Sequence, residues 1–133
     1  MKQKLAIFLD TNNQSGGAFS ELVYMVEKIE SLKSKDLEII FISTSNDINL
    51  KSLKKYKFIH LKMNFFERYI CYLRNYGSLS RRLKRYFFFQ NKLEKLLEKN
   101  NVDIVYFVNP SQYSLYLEDT DFIITVPDIS HRE

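Results

Sequence analysis

Five short apolar runs, separated by longer amphipathic segments, determine what this 133-residue chain can fold into. The runs are residues 4–9 (KLAIFL), 37–42 (LEIIFI), 57–61 (KFIHL), 103–108 (DIVYFV) and 122–126 (FIITV). Almost uninterrupted hydrophobicity is typical of strands that are buried on both faces, whereas a strand with one wet face alternates apolar and polar residues. The first and last runs are therefore expected to be buried strands like the other three.

Helical periodicity fills the intervals between the runs. Apolar residues recur at helical spacing from Ala18 to Leu32, and two more helices are predicted over Phe65 to Asn75 and over Leu79 to Lys99. Ser78 or Ser80 is expected to cap the last of these, and Asn100 or Asn101 to end it, because asparagine tolerates the left-handed conformation. Strands alternating with helices predict a parallel sheet covered on both faces. We therefore expect residues 1–133 to form one Rossmann-like α/β domain.

The cysteine content and the N-terminal run limit the compartment. The single cysteine, Cys71, rules out an internal disulfide and leaves no second thiolate for a zinc site. The first apolar run is too short for a signal peptide or a membrane span. We expect a cytoplasmic protein without a metal, and the basic middle of the chain adds the inner face of the cell membrane as a peripheral location.

Positive charge is concentrated in the middle of the chain. Residues 51–99 carry fourteen Lys and Arg against three Glu, a net charge of +11, while residues 1–50 carry −2 and residues 100–133 carry −5, which gives the formal +4. A segregated basic region predicts an anionic partner. The basic residues that interleave with aromatics, and form the predicted partner patch, are Arg74, Arg81, Arg82, Lys84 and Arg85.

Three interpretations of residues 65–89 stay open. In the first, the aromatic residues belong to the core and the charged residues form a solvated face. In the second, the segment lies on an anionic membrane surface, as cationic amphipathic helices do. In the third, it binds single-stranded nucleic acid by stacking and phosphate contacts. Of the two partners, we favour the membrane over nucleic acid.

Polar residues and glycines follow the predicted strands at their carboxyl ends, where open α/β sheets bind ligands. Gly16 and Gly17 precede the first helix, and without Cβ atoms they let an anion approach the backbone N–H groups. Asn109 follows the fourth strand, and Asp128 and His131 follow the fifth. Each of these residues also has a purely structural interpretation. The two glycines could only turn the chain into the helix, Asn109 could form an Asx turn, and Asp128 could cap a turn. For His131 we prefer the structural interpretation, a surface side chain.

The loop before the first helix matches neither common nucleotide motif. Residues 10–17 (DTNNQSGG) lack G-x-G-x-x-G, Ser43 to Ser45 stand where an acidic residue would end the second strand, and no Gly-Lys-Ser/Thr follows the glycines. We therefore expect neither a dinucleotide nor any other cofactor.

Two motifs at opposite ends of the chain resemble one enzyme family. The first strand, the polar loop ending Gly-Gly-Ala and the helix opening Phe-Ser-Glu-Leu are similar to the N-terminal domain of GT-B glycosyltransferases, especially family 4. Residues 126–132 (VPDISHR) resemble the segment that in many of these enzymes reads valine, histidine, aspartate, two residues, histidine. The resemblance covers the whole chain in layout and these two motifs at residue level.

The resemblance implies a function and a role in it for several residues. Asp128 would be a catalytic residue, and His131, Gly16 and Gly17 would bind substrate, in the acceptor-side half of an enzyme that transfers a sugar, with retention, from a nucleotide-sugar donor to a saccharide or lipid-linked acceptor. Asn109, from its place after the fourth strand, is expected to bind a substrate hydroxyl in the same cleft. A C-terminal donor-binding domain would follow Glu133, so these 133 residues alone would be inactive. Pro127 stands in place of the family's first histidine, and that histidine's contribution does not carry over.

Two other function classes remain. A stand-alone flavodoxin-like binding or signalling module is less favoured because the first strand ends in a single Asp10 rather than an acidic cluster. The other is a nucleic-acid-binding α/β domain that uses residues 51–99.

Overall fold

A computed structural model of the chain describes residues 3–10, 17–31, 36–44, 58–76 and 91–126. Its strands are β1 (Gln3–Leu9), β2 (Leu37–Ser43), β3 (Phe58–His60), β4 (Ile104–Phe107) and β5 (Asp121–Ile124). Its helices are α1 (Gly17–Ser31), α2 (Phe65–Tyr76), α3 (Lys92–Lys99) and the short 3₁₀ helix η1 (Gln112–Tyr116). Each predicted strand is present, with ends shifted by one or two residues.

The five strands form one parallel sheet in the order β3-β2-β1-β4-β5. β1 lies at its centre, so that Ile7 pairs with Phe41 of β2 on one side and with Tyr106 of β4 on the other. This is the order of the Rossmann arrangement. The prediction of a Rossmann-like parallel α/β domain is confirmed.

Helices cover both faces of the sheet, which explains the uninterrupted apolar run in β1. Successive side chains of a strand point to opposite faces. Ile7 packs in a cluster with Val26 of α1 on one face, and Phe8 packs with Leu97 of α3 on the other. Both β1 side chains are fully buried or nearly so. A strand in this position has no polar side, as its sequence predicts.

The helix predicted over Leu79 to Lys99 does not run unbroken, and that prediction is wrong at Asn91. Asn91 has the non-helical angles φ −58° and ψ 117°, and α3 begins only at Lys92. The buried Asn91 side chain accepts the N–H of Leu93 at 3.0 Å and donates to the carbonyl of Tyr116. Asparagine side chains that bond the backbone in this way compete with helix continuation. Ser78 and Ser80 lie outside the described residues, and so does the predicted patch of Arg81, Arg82, Lys84 and Arg85.

The end of α3 follows the prediction made for it. Asn101 adopts φ 51°, the left-handed conformation expected of a terminal asparagine. The N–H of Val102 then donates to the carbonyl of Leu97, so the chain turns directly from α3 into β4.

The expectation that the fifth strand is buried is wrong. β5 pairs with β4 at the edge of the sheet, and Phe122 and Ile123 are both exposed. Its apolar run resembles those of the interior strands, but the strand order places it at the edge, where neither face is fully covered. Phe122 retains an edge-on ring contact with Phe107 at 6.0 Å.

Candidate functional site

Polar side chains converge at the carboxyl edge of the sheet. Asp10 follows β1, Thr44 follows β2, and Ser111 lies four residues after the end of β4. Because the three strands are parallel neighbours, their carboxyl ends meet at this edge. We call Asp10, Thr44 and Ser111 the edge cluster.

The Asp10 carboxylate joins the edge cluster. It accepts the hydroxyl of Ser111 on Oδ2 at 2.8 Å and the hydroxyl of Thr44 on Oδ1 at 3.3 Å. The Ser111 Oγ in turn accepts the N–H of Tyr113 at 3.2 Å. One carboxylate therefore ties together the exits of three strands and fixes the start of η1.

The short helix η1 places two tyrosines beneath this edge. Ser111 caps the helix, and the Ser114 hydroxyl donates to the Ser111 carbonyl at 2.7 Å. Tyr113 and Tyr116 are each 4% exposed, with their rings edge-on at 5.5 Å. The Tyr113 ring also lies 5.1 Å from that of Phe8 in β1. The chain that leaves β4 therefore turns into a short helix that ends at Tyr116.

The first turn of α2 is held by a reciprocal capping arrangement. The N–H of Glu67 donates to the Asn64 side chain, and the N–H of Asn64 donates to the Glu67 carboxylate, both at 2.8 Å. Lys92 of α3 forms an ion pair with the same carboxylate. The Lys92 contact and the Asn64 N–H together lower the pKa of Glu67 below 4.5. These contacts set the orientation of the next residue, Arg68.

Arg68 brings a positive charge towards the tyrosines, since α2 packs against η1. Its Nε is buried and has no hydrogen-bond acceptor among the described residues. Burial raises the pKa of the Tyr113 phenol above 10.0, and the Arg68 charge offsets part of this rise, while the Asp10 charge adds to it. Burial raises the pKa of Tyr116 in the same way. Both phenols are therefore protonated near neutral pH and can donate hydrogen bonds.

The arrangement has a definite chemical character. An ionised carboxylate offers about four acceptor positions, and the two hydroxyls of the edge cluster occupy two of them at Asp10. A buried guanidinium nitrogen without an acceptor is costly unless a ligand supplies one. Arg68 is suited to a phosphate or carboxylate, and Asp10 to ligand hydroxyls.

The structure describes only some of the site residues that were predicted from the sequence. Asn109 is half-buried at the carboxyl edge, two residues before Ser111, and Gly17 is the first residue of α1. Gly16, Asp128 and His131 lie outside the described residues, so the predicted grouping of these positions stays a prediction. Arg74 falls in the last turn of α2.

Sequence reasoning missed the residues that the structure brings together. Asp10 and Thr44 directly follow strands, and the rule that selected Asn109 would also have found them. Arg68 and Tyr113 carry no such signal, because their proximity depends on how α2 packs against η1.

The described part of the chain contains no grouping of three or more His, Cys, Asp or Glu side chains placed to bind a metal. Cys71, the single cysteine of the chain, is buried on α2. Among the described helices, none combines the length and apolar character needed to cross a bilayer.

Comparison with protein-family models, with curated proteins and with solved structures found no significant match to this chain.

Proposed function

We propose that this domain is the acceptor-side half of a GT-B glycosyltransferase, which moves a sugar from a nucleotide-sugar donor to a saccharide or lipid-linked acceptor. The edge cluster is the observation that carries the proposal, since it lies between β1 and β4 at the carboxyl edge. In the Rossmann order the chain moves to one side of β1 first and to the other side later, and ligands bind at this switch point.

Asp10 and Arg68 support an acceptor that carries both hydroxyls and negative charge. The remaining acceptor positions of the Asp10 carboxylate suit sugar hydroxyls. The buried Nε of Arg68, which finds no acceptor within the described part of the chain, lies near two protonated phenols and suits a phosphate group. A saccharide phosphate, free or as part of a lipid-linked acceptor, combines both features.

The chemistry of transfer assigns roles to the residues predicted from the sequence. Positive charge develops on the donor sugar and negative charge on the leaving diphosphate. Asp128 would orient or deprotonate the attacking acceptor hydroxyl, and backbone N–H groups at Gly16 and Gly17 would stabilise the leaving diphosphate. A second domain would hold the donor.

The flavodoxin-like alternative has less support from the topology. Flavodoxin-type sheets have the order 2-1-3-4-5, whereas this sheet has the order 3-2-1-4-5. Binding of a flavin nucleotide by the chain would nevertheless revive that alternative, and flavin mononucleotide therefore belongs among the ligands tested.

Ligand-observed NMR on the 133-residue chain tests the proposal. The probes are glucose 1-phosphate, mannose 1-phosphate and N-acetylglucosamine 1-phosphate, with UDP-glucose, GDP-mannose and flavin mononucleotide in parallel. We expect binding of at least one sugar phosphate and none of the other three compounds. Arg68→Gln should weaken that binding by about tenfold, as expected for the loss of a charge-assisted hydrogen bond.

Lys28→Gln is the matched control, because Lys28 is an exposed cation on α1, and α1 packs on the opposite face of the sheet from α2. Its variant should bind like the unmodified chain. Failure of all three sugar phosphates, equal loss in both variants, or micromolar binding of a nucleotide sugar or flavin would each overturn the proposal.

A further inference from the structure

Helix α2 exposes most of its aromatic side chains and buries a charged one, which is the reverse of an ordinary surface helix. Glu67 and Cys71 are buried on its inner side. Its outer side carries Phe65 (81% exposed), Phe66 (65%), Tyr69 (50%), Tyr72 (50%) and Leu73 (46%), which we call the α2 aromatic face. At 3.6 residues per turn these five positions fall within an arc of about 120°. The helix thus presents a continuous apolar stripe to solvent.

Such a stripe normally faces the core of a protein. A large contiguous apolar patch that is exposed to solvent usually marks an interaction site. The rings of Phe65 and Tyr69 already lie parallel, with centroids 6.5 Å apart and planes 8° apart. The capping contacts of Asn64 and the Lys92–Glu67 ion pair hold the helix that carries these rings, so the surface is in place before a partner arrives.

The net charge of the chain segment that contains α2 favours an anionic partner. Exposed Lys62 lies three residues before α2, and residues 51–99, which contain the helix, carry a net charge of +11. Two acidic side chains of the C-terminal third lie at the amino edge of the sheet, where Asp103 precedes β4 and Asp121 begins β5. α2 instead follows the carboxyl edge, where β3 ends at His60.

We propose that the α2 aromatic face binds the surface of a bilayer that contains anionic lipid. Aromatic side chains settle at the boundary between headgroups and acyl chains, and nearby cations are attracted by anionic headgroups. The helix then lies in the plane of the membrane and does not span it. This inference goes beyond the proposed transferase activity and does not depend on it.

Two other occupants fit the observations less well. A second copy of the chain would add a second segment with a net charge of +11 to the complex, and two such segments repel each other. Single-stranded nucleic acid stacks bases on aromatics within a basic groove, whereas α2 is a convex helix on which Phe65 and Tyr69 stack on each other.

Vesicle flotation tests the proposal with the 133-residue chain. We expect the chain to float with vesicles of phosphatidylcholine and phosphatidylserine and to bind poorly to phosphatidylcholine alone. Added salt should weaken the binding because it shortens the Debye length. The double variant Phe65→Ser with Phe66→Ser should lose at least about tenfold in affinity, since two apolar anchors are removed.

Tyr24→Ser is the matched control, because Tyr24 is 57% exposed on α1, on the opposite side of the sheet. It should float like the unmodified chain, and circular dichroism and urea unfolding should show that all variants are folded. The proposal would be overturned if the chain did not float, if the double variant floated as well as the unmodified chain, or if Tyr24→Ser lost as much affinity as the double variant. It would also be overturned if the unmodified chain dimerised or bound oligo-dT and the double variant lost that property instead of vesicle binding.

A failure here is distinguishable from a failure of the proposed function. Phe65 and Phe66 belong neither to the edge cluster nor to the buried tyrosine contacts around Arg68. The double variant should therefore keep whatever sugar-phosphate affinity the chain has.

Discussion

The hydroxyl of Ser111 donates a 2.8 Å hydrogen bond to the carboxylate of Asp10, a residue 101 positions earlier in the chain. This bond ties the exit of β4 to the exit of the central strand β1. Because Ser111 also caps η1, the bond sets the position of Tyr113 relative to the sheet. The geometry of the candidate site therefore depends on this pair.

Replacing Ser111 with alanine should destabilise the protein. The variant loses a hydrogen bond to a charged group and the cap of η1, and we expect the free energy of unfolding to fall by about 2 kcal/mol. Urea unfolding followed by circular dichroism measures the change. Ser31→Ala is the control: its hydroxyl is exposed and bonds to Lys28 within α1. A loss in the control as large as in Ser111→Ala would refute a special role for the Asp10 contact.

The two roles of Asn91 can be separated by substitution. Asn91→Ala removes the cap of α3 and leaves the Tyr116 carbonyl without its buried donor, for an expected loss of about 2 kcal/mol. Asn91→Asp keeps an oxygen for the N–H of Leu93 but cannot donate to Tyr116. Its stability should lie between that of Asn91→Ala and that of the unmodified chain. If Asn91→Asp were as stable as the unmodified chain, the contact with Tyr116 would contribute nothing.

Glu67 should make the protein sensitive to acid. Its pKa lies below 4.5 in the folded state because of Lys92 and the Asn64 N–H. Its contribution to stability is therefore complete above about pH 4.5 and is lost as the pH falls through the folded-state pKa. Glu67→Gln should flatten the dependence of the unfolding free energy on pH in this range. Lys92→Met should flatten it too, and an unchanged slope in both variants would contradict the assignment.

Tyr113 should affect stability at the opposite end of the pH scale. Burial raises its pKa above 10.0, so the unfolded chain releases this proton at lower pH than the folded protein does. The stabilisation is complete below pH 10.0 and declines as the pH rises through the folded-state value. Absorbance titration of the phenolates should show a late-titrating group that Tyr113→Phe removes. Arg68→Gln should delay that titration further, because the positive charge of Arg68 lowers the pKa.

The strands could be predicted from the sequence because burial on both faces leaves a local signature. In β1, neighbouring Ile7 and Phe8 enter opposite cores, and neither position tolerates a polar residue. Strand order has no comparable local signature. The run in β5 looks like an interior strand, yet Phe122 and Ile123 are exposed because β5 lies at the edge.

The candidate site could be predicted less well, since distant partners define it. Asn91 caps the start of α3 and donates to the carbonyl of Tyr116, 25 positions later, and no periodicity reveals that partner. Charged residues of a surface helix are expected to face outward, so the buried Glu67 and the buried Nε of Arg68 reverse the usual rule. Such departures from pattern are expected where a protein binds something.

The central position of β1 has a consequence for how the protein is made. β1 emerges from the ribosome before both of its partners and can pair with β2 early, but its other partner, β4, begins only at Ile104. Until then one edge of an apolar strand has no partner, and an unpaired edge of that kind invites aggregation. Pairings so distant in sequence also form slowly. The yield of native protein in a cell should therefore depend strongly on growth temperature and on the supply of chaperones. This dependence should be stronger than the one expected from the stability of the folded protein alone.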